Sequence, residues 1–224
     1  MKSDNFLVVD FDSTFVELEA LEEIAKEALK ENPEKEKIQN KIQEITQKGM
    51  RGEISFFDSL RSRLELFSSS REDVEAIAQK MKDSVTESFL KNKKFFQKNG
   101  EQIFIVSGGF KECIFPVSDE FGIPRKNVLA NDIIFDEEGK VAGVNEDNLA
   151  SKTQGKVRQL EALKLAGTVF AIGDGWTDFE MKKENQADFF LAFTENVRRE
   201  SVVKLADEEA KNFDEVLEFI NKPI

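Results

Sequence analysis

The chain has 224 residues, 40% hydrophobic and 34% charged, and a net charge of -12. That length suits one domain with a sizeable insertion or two small domains, and the acidic balance excludes nucleic acid and membrane surfaces as partners unless a local basic patch offsets it. There is no histidine and a single cysteine, Cys113, so a Ser-His-Asp triad, a Cys-His pair, a histidine-bound metal, an internal disulfide and a multi-cysteine zinc site are all ruled out.

Chemistry must then come from carboxylates, Lys, Arg, hydroxyls, backbone groups and a hard metal ion. Lys91, Lys93 and Lys94 cluster, but read as a solvated helix face. No apolar run reaches membrane-spanning length, and Met1 to Asp10 lacks a signal-peptide pattern. With one cysteine, a reducing cytoplasm is the expected compartment.

In chain order, Phe6–Val9 is an apolar run ending at Asp10. Residues 15–85 carry helical periodicity: Leu18, Leu21, Ile24 and Ala25; Ile38, Ile42 and Ile45; Phe56, Leu60, Leu64 and Phe67; and Val74, Ile77, Ala78 and Met81. A simple crossover needs one helix, so several helices here predict an inserted cap over 15–85, with 1–14 and 86–224 forming the core. Ser70 followed by Asp73 reads as a helix start. Further apolar runs are Ile103–Val106 before Ser107-Gly108-Gly109, Val169–Ile172 before Gly173-Asp174, and Phe189–Phe193. Continuous apolar runs bounded by Gly or Asp predict parallel strands buried on both faces. Ile133–Val144 reads as a hairpin turning at Glu138-Gly139. The fold class expected is therefore α/β, a Rossmann-like parallel sheet core with an inserted helical cap. In such a sheet the crevice lies beyond the carboxyl ends of the strands, where Asp10, Ser107 and Asp174 would meet.

A strand continuing through Asp12 would point its carboxylate the same way as that of Asp10, a crowding that calls for a cation or a shared proton. A turn or capping cluster is the alternative. Gly173-Asp174-Gly175-Trp176-Thr177-Asp178 repeats the pattern, and oxygens from Asp10 and Asp174 would suit Mg²⁺. Ser107-Gly108-Gly109 offers a hydroxyl and backbone N–H groups to an anion, or is a tight turn. Lys152 and Lys156 flank Gly155 before an amphipathic stretch. A lysine there opposes the helix dipole, which hints at a role.

Together these four segments resemble the haloacid dehalogenase superfamily, and Glu19, Met50, Phe56 and Arg63 extend the resemblance toward its phosphoserine phosphatase group. It covers nearly the whole chain, Asn196–Ser201 included. The resemblance implies Asp10 as nucleophile, Asp12 as acid and base, and Mg²⁺ held by Asp10, Asp174 and the Asp12 carbonyl. Ser107, Gly108 and Gly109 would bind the phosphoryl group with a lysine, either Lys156 or Lys152, since Gln154 stands where the family lysine is expected. Thr177 would contact substrate, and Asp178 would orient the lysine or a metal water. Glu19 and Arg63 would read the ammonium and carboxylate of O-phosphoserine, with Met50 and Phe56 shielding them. Another small phosphomonoester, transfer to an alcohol acceptor, a receiver-like phosphoacceptor and a non-catalytic binding module stay open at this level, as does monomer or homodimer.

Overall fold

The computed structural model describes residues 1–2, 4–50 and 53–222, with Met50 described by its backbone only. β1 (Asn5–Val9) is followed by α1 (Ala20–Ala28), α2 (Lys35–Met50), α3 (Phe56–Leu64) and α4 (Arg71–Asp83). Then come α5 (Glu87–Lys91), α6 (Lys93–Asn99), β2 (Ile103–Phe110), α7 (Lys111–Glu120) and β3 (Val128–Asn131). β4 (Ile133–Phe135) and β5 (Val141–Val144) form a hairpin, and α8 (Gly155–Leu163), β6 (Thr168–Gly173) and α9 (Trp176–Lys183) return the chain to the sheet. β7 (Phe189–Phe193), α10 (Glu200–Val203), β8 (Glu208–Ala210) and α11 (Phe213–Ile220) complete it.

The main sheet has the order β3-β2-β1-β6-β7-β8, with every pair parallel. Its apolar runs are continuous because each strand serves two cores. Leu7, Val9, Ile105, Phe170 and Ile172 belong to one buried cluster, whereas the alternating Val8, Phe104, Val106 and Ala171 belong to the other. This is the expected signature of a sheet covered on both faces. The strand order reverses between β1 and β6, the place where a doubly wound sheet opens a crevice. Asp10 and Asp174 immediately follow those two strands.

β3 and β8 carry no expectation from sequence. β3 is only four residues long, and β8 is a three-residue edge strand beginning Glu208-Glu209. Charge on a short edge strand blocks further pairing and also hides the strand from a hydropathy reading.

One expectation fails in its local geometry. β1 stops at Val9 instead of continuing through Asp12. Asp12 is extended (φ -65, ψ 137) and Ser13 turns left-handed at φ 56, so the chain leaves the path of the strand in a turn. Phe11 and Phe15 are fully buried and pin that turn. Phe15 packs on Phe89 at 4.7 Å and on Phe121 at 5.0 Å between ring centroids.

The helices α1 to α4 leave and rejoin the sheet side by side. Val16 and Val85 form an antiparallel bridge, and Thr86 Oγ1 donates to the Thr14 carbonyl at 2.7 Å. Ser70 caps α4 in a reciprocal capping box with Asp73, as the spacing predicts. The hairpin turns at Gly139, whose φ of +80 suits glycine. It also meets the start of α4: Arg71 stacks over Phe135 at 4.0 Å, and the Ser69 carbonyl accepts from Val141.

Candidate active site

Asp10 sits one residue beyond β1, its backbone N–H still bonded to the Ile172 carbonyl of β6 at 2.9 Å. Its Oδ1 accepts from the Phe11 N–H at 2.7 Å and lies 2.6 Å from Lys156 Nζ. Lys156 also donates to Asp178 Oδ1 at 2.7 Å, and the other oxygen of Asp178 accepts from the Gly175 N–H at 3.0 Å. Burial pulls the Lys156 ammonium down, but Asp10 and Asp178 outweigh it and hold its pKa above the ordinary lysine value. Lys156 is therefore a permanently charged group beside Asp10.

Lys152 lines the same cleft but is exposed on its rim. The difference between the two lysines comes from the backbone. Gln154 is left-handed at φ 57 and α8 starts at Gly155, so Lys156 leaves the first turn pointing into the sheet edge.

Asp174 follows β6 and is buried. Thr14 Oγ1 donates to its Oδ1 at 3.4 Å, and the guanidinium of Arg199 pairs with its Oδ2. Asp10, Asp174 and Asp178 each offer an oxygen within 4.8 Å of the others, so this buried cluster could hold a metal ion. The donors are hard carboxylate oxygens, as Mg²⁺ or a similar cation requires. Lys156 and the Gly175 N–H engage the two oxygens of Asp178.

Asp12 points its Oδ1 at the Ala20 N–H, 2.8 Å away. Desolvation in the cleft floor, with Glu19 and Asp10 nearby, raises its pKa well above the usual carboxylate range. A side chain at Gly109 would come within 2.6 Å of Asp12 Oδ2, and one at Gly108 within 3.0 Å of the Phe56 ring. Two glycines are needed here because a carboxylate and an aromatic ring lie directly against the backbone. Ser107 Oγ accepts from the Gly109 N–H at 2.8 Å.

These groups open on one cleft of about 640 Å³. Its core side carries Ser107, Gly108, Gly109 and Thr177, and its helical side Glu19, Phe56 and Arg63. Glu19 accepts from Ser13 Oγ at 2.6 Å. Arg63 reaches the Ser59 carbonyl at 3.2 Å and Thr46 Oγ1 at 3.4 Å, which holds its guanidinium over the cleft without a carboxylate in direct contact among these bonds. Met50 ends α2, and its side chain lies outside the described residues.

The resemblance takes in 196–201 without giving Asn196 or Arg199 a role, and the structure gives both contacts at the site. Arg199 meets Asp174, and Asn196 Nδ2 faces the carbonyls of Ser13, Thr14 and Val16 and Thr86 Oγ1, the last at 2.7 Å. No periodicity marks either one. Only the turn after β7 brings them under β1 and β6.

A parallel sheet that gathers carboxylates, a charged lysine and a Gly-rich turn at its switch point defines an α/β enzyme built for anionic esters. Residues 7–183 match the haloacid dehalogenase-like hydrolase family. The chain is 34% identical over 169 residues to the chloroplastic phosphoserine phosphatase of Arabidopsis thaliana, covering 74% of this chain and 57% of that one. It is 30% identical over 211 residues to the phosphoserine phosphatase of Homo sapiens, covering 93% and 89%. A crystal structure of a phosphoserine phosphohydrolase-like protein from Francisella tularensis superimposes with a TM-score of 0.84 at 32% identity, over 96% of this chain and 99% of that one. The chain belongs to the haloacid dehalogenase-like hydrolases, in their phosphoserine phosphatase-like branch. No helix among the described residues is long and apolar enough to cross a membrane.

Proposed function

We propose that the enzyme hydrolyses O-phosphoserine to serine and phosphate, using Mg²⁺ and an aspartyl phosphate on Asp10. The observation that carries this reading is the single cleft. It sets Asp10, Lys156 and Asp174 on one wall and the opposite charges of Glu19 and Arg63 on the other.

Both contacts to Asp10 fall on Oδ1, which leaves Oδ2 to attack phosphorus. The Oδ2–phosphorus bond forms as the ester bond breaks, and the departing serine alkoxide takes a proton from Asp12. The raised pKa of Asp12 suits an acid, and its Oδ2, not engaged by Ala20, faces Gly109 and the cleft. In the second step Asp12, now a base, removes a proton from water as the water oxygen bonds to phosphorus and Asp10 leaves. Lys156 stays charged beside Asp10 in both steps and offsets phosphoryl charge. Ser107 and the Gly108 N–H hold the remaining phosphoryl oxygens, while the Gly109 N–H bonds Ser107 Oγ, with Thr177 at the rim. Asp178 orients Lys156. When bound, Mg²⁺ on Asp10, Asp174 and the Asp12 carbonyl would supply Lewis-acid neutralisation of a phosphoryl oxygen.

We read residues 15–85 as the cap and 1–14 with 86–224 as the core. The paired linkers at Val16 and Val85 support this division. The single buried cysteine fits a reducing cytoplasm, and a monomer or homodimer acting on a small metabolite satisfies the site.

The substrate is tested by comparing O-phosphoserine with phosphoethanolamine, which lacks the carboxylate, on wild type and on Arg63→Ala. Loss of the arginine should reduce kcat/KM for phosphoserine by about 3 kcal/mol of transition-state binding and leave phosphoethanolamine nearly unaffected. Equal losses would replace the assignment with a generic phosphatase of small phosphomonoesters.

A further inference from the structure

β2 and β3 fall out of step beside the cleft. Val106 pairs with Leu129 and Phe110 with Asn131, so three residues of β2 (Ser107, Gly108 and Gly109) span the distance that Ala130 alone spans on β3. A bulge of this kind re-aims the residues it carries and breaks the local ladder. The Gly108 carbonyl loses its place in that ladder, and the side chain of Asn131 takes over, Nδ2 donating to it at 2.8 Å.

Asn131 is fully buried, and its Oδ1 has no hydrogen-bond partner in the structure. Leaving one buried polar atom unpaired is unfavourable, so the bond that its other end makes is the reason to look for a role. The peptide joining Gly108 and Gly109 is planar. Turning its carbonyl toward Asn131 turns the Gly109 N–H the opposite way, onto Ser107 Oγ at 2.8 Å. A hydroxyl oxygen that accepts this bond keeps its own proton for another acceptor, and the cleft side of Ser107 is where the phosphoryl oxygens lie in the reading above.

We infer that Asn131 is a positioning residue for phosphoryl recognition: by locking the Gly108–Gly109 peptide, it sets the Ser107 hydroxyl as a donor to the substrate. The inference rests on Ser107 being a phosphoryl ligand.

Inorganic phosphate competes for the same groups without a chemical step, so its inhibition constant reads this cradle directly. Asn131→Ala should weaken phosphate inhibition about tenfold, the size of one lost polar contact. It should reduce kcat/KM alike for phosphoserine and phosphoethanolamine. Asn131→Ser, whose hydroxyl is too short to reach the Gly108 carbonyl, should do the same and covers the case in which the alanine variant folds poorly. Val128→Ala, a core truncation on the same strand, serves as the control for lost stability and should leave phosphate inhibition near wild type. In a Ser107→Ala background the Asn131 substitutions should add little, because their target is gone.

Unchanged phosphate inhibition in Ser107→Ala would remove the reading of Ser107, and this inference with it. A clear effect of Ser107→Ala with none from either Asn131 variant would overturn the inference alone. So would full additivity of the two positions, or an equal effect from Val128→Ala.

Discussion

Lys156 Nζ lies 2.6 Å from Asp10 Oδ1, although 145 residues of chain lie between the two. Both side chains are about nine-tenths buried, so the pair interacts with little screening by solvent. Lys156→Ala should lower kcat about a hundredfold, as expected for a group aimed at developing charge. Lys152→Ala, on the exposed rim, should stay within a few-fold of wild type. The comparison needs a melting curve for each variant, because removing Lys156 also leaves two buried carboxylates without their partner. The reverse ranking of the two alanine variants would move the role to Lys152.

Gly109→Ala should lower turnover about a hundredfold or more while the protein stays folded. The added methyl would meet Asp12 Oδ2 at 2.6 Å and Ser107 Oγ at 3.1 Å, so the acid and the phosphoryl cradle must shift together. Positioning errors of this size reduce rates about a hundredfold or more. Circular dichroism should match wild type. Turnover close to wild type would mean that Asp12 can yield without consequence, which the acid role proposed for it does not allow.

Arg199 should compete for Asp174 with the metal ion proposed above. The guanidinium pairs with Asp174 Oδ2 and also donates to the Asp174 carbonyl at 3.3 Å, yet it remains about one-third exposed. An arginine so placed is a modest competitor. Arg199→Ala should lower the Mg²⁺ concentration needed for half-saturation by a few-fold when no substrate is present. Trp176, the chain's one tryptophan, lines the same cleft, and its fluorescence should report the titration. A weaker Mg²⁺ affinity in the variant would show that the arginine supports the cation site instead of opposing it.

Glu23 ties α1 to α4, accepting from Lys26 at 2.6 Å and from Lys80 at 2.5 Å. Burial pushes its carboxyl up, but the two lysines outweigh this and hold the pKa below its ordinary value of 4.5. A depressed folded-state pKa means that the stabilisation is complete above the unfolded value and is lost as pH falls through the folded one. Glu23→Gln should therefore reduce stability by about 1 kcal/mol at pH 7, a figure kept small because both lysines are half-exposed. The gap between variant and wild type should close on acidification below pH 4.5. A gap that is constant with pH would assign the loss to packing.

The core strands and the four motifs were legible because a strand buried on both faces must be apolar throughout, and Leu7, Val8 and Val9 are all fully buried. Glycine and aspartate at the strand ends likewise declare where the chain must turn or present charge. The sequence alone therefore determined a parallel α/β core, a helical insertion after the first strand, and an acidic chemistry without histidine. Tertiary structure decided the rest, because the deciding contacts join residues with no local signature. Whether Lys152 or Lys156 meets Asp10 depended on the left-handed backbone at Gln154 and the start of α8. The chain also leaves the strand after Val9 and turns at Ser13, a change of path that a two-residue period cannot express. Arg199 and Asn131 are ordinary surface or strand residues by composition, and each acquires its partner only when the ends of separate parallel strands, held by backbone bonds blind to side-chain identity, close on one edge of the sheet.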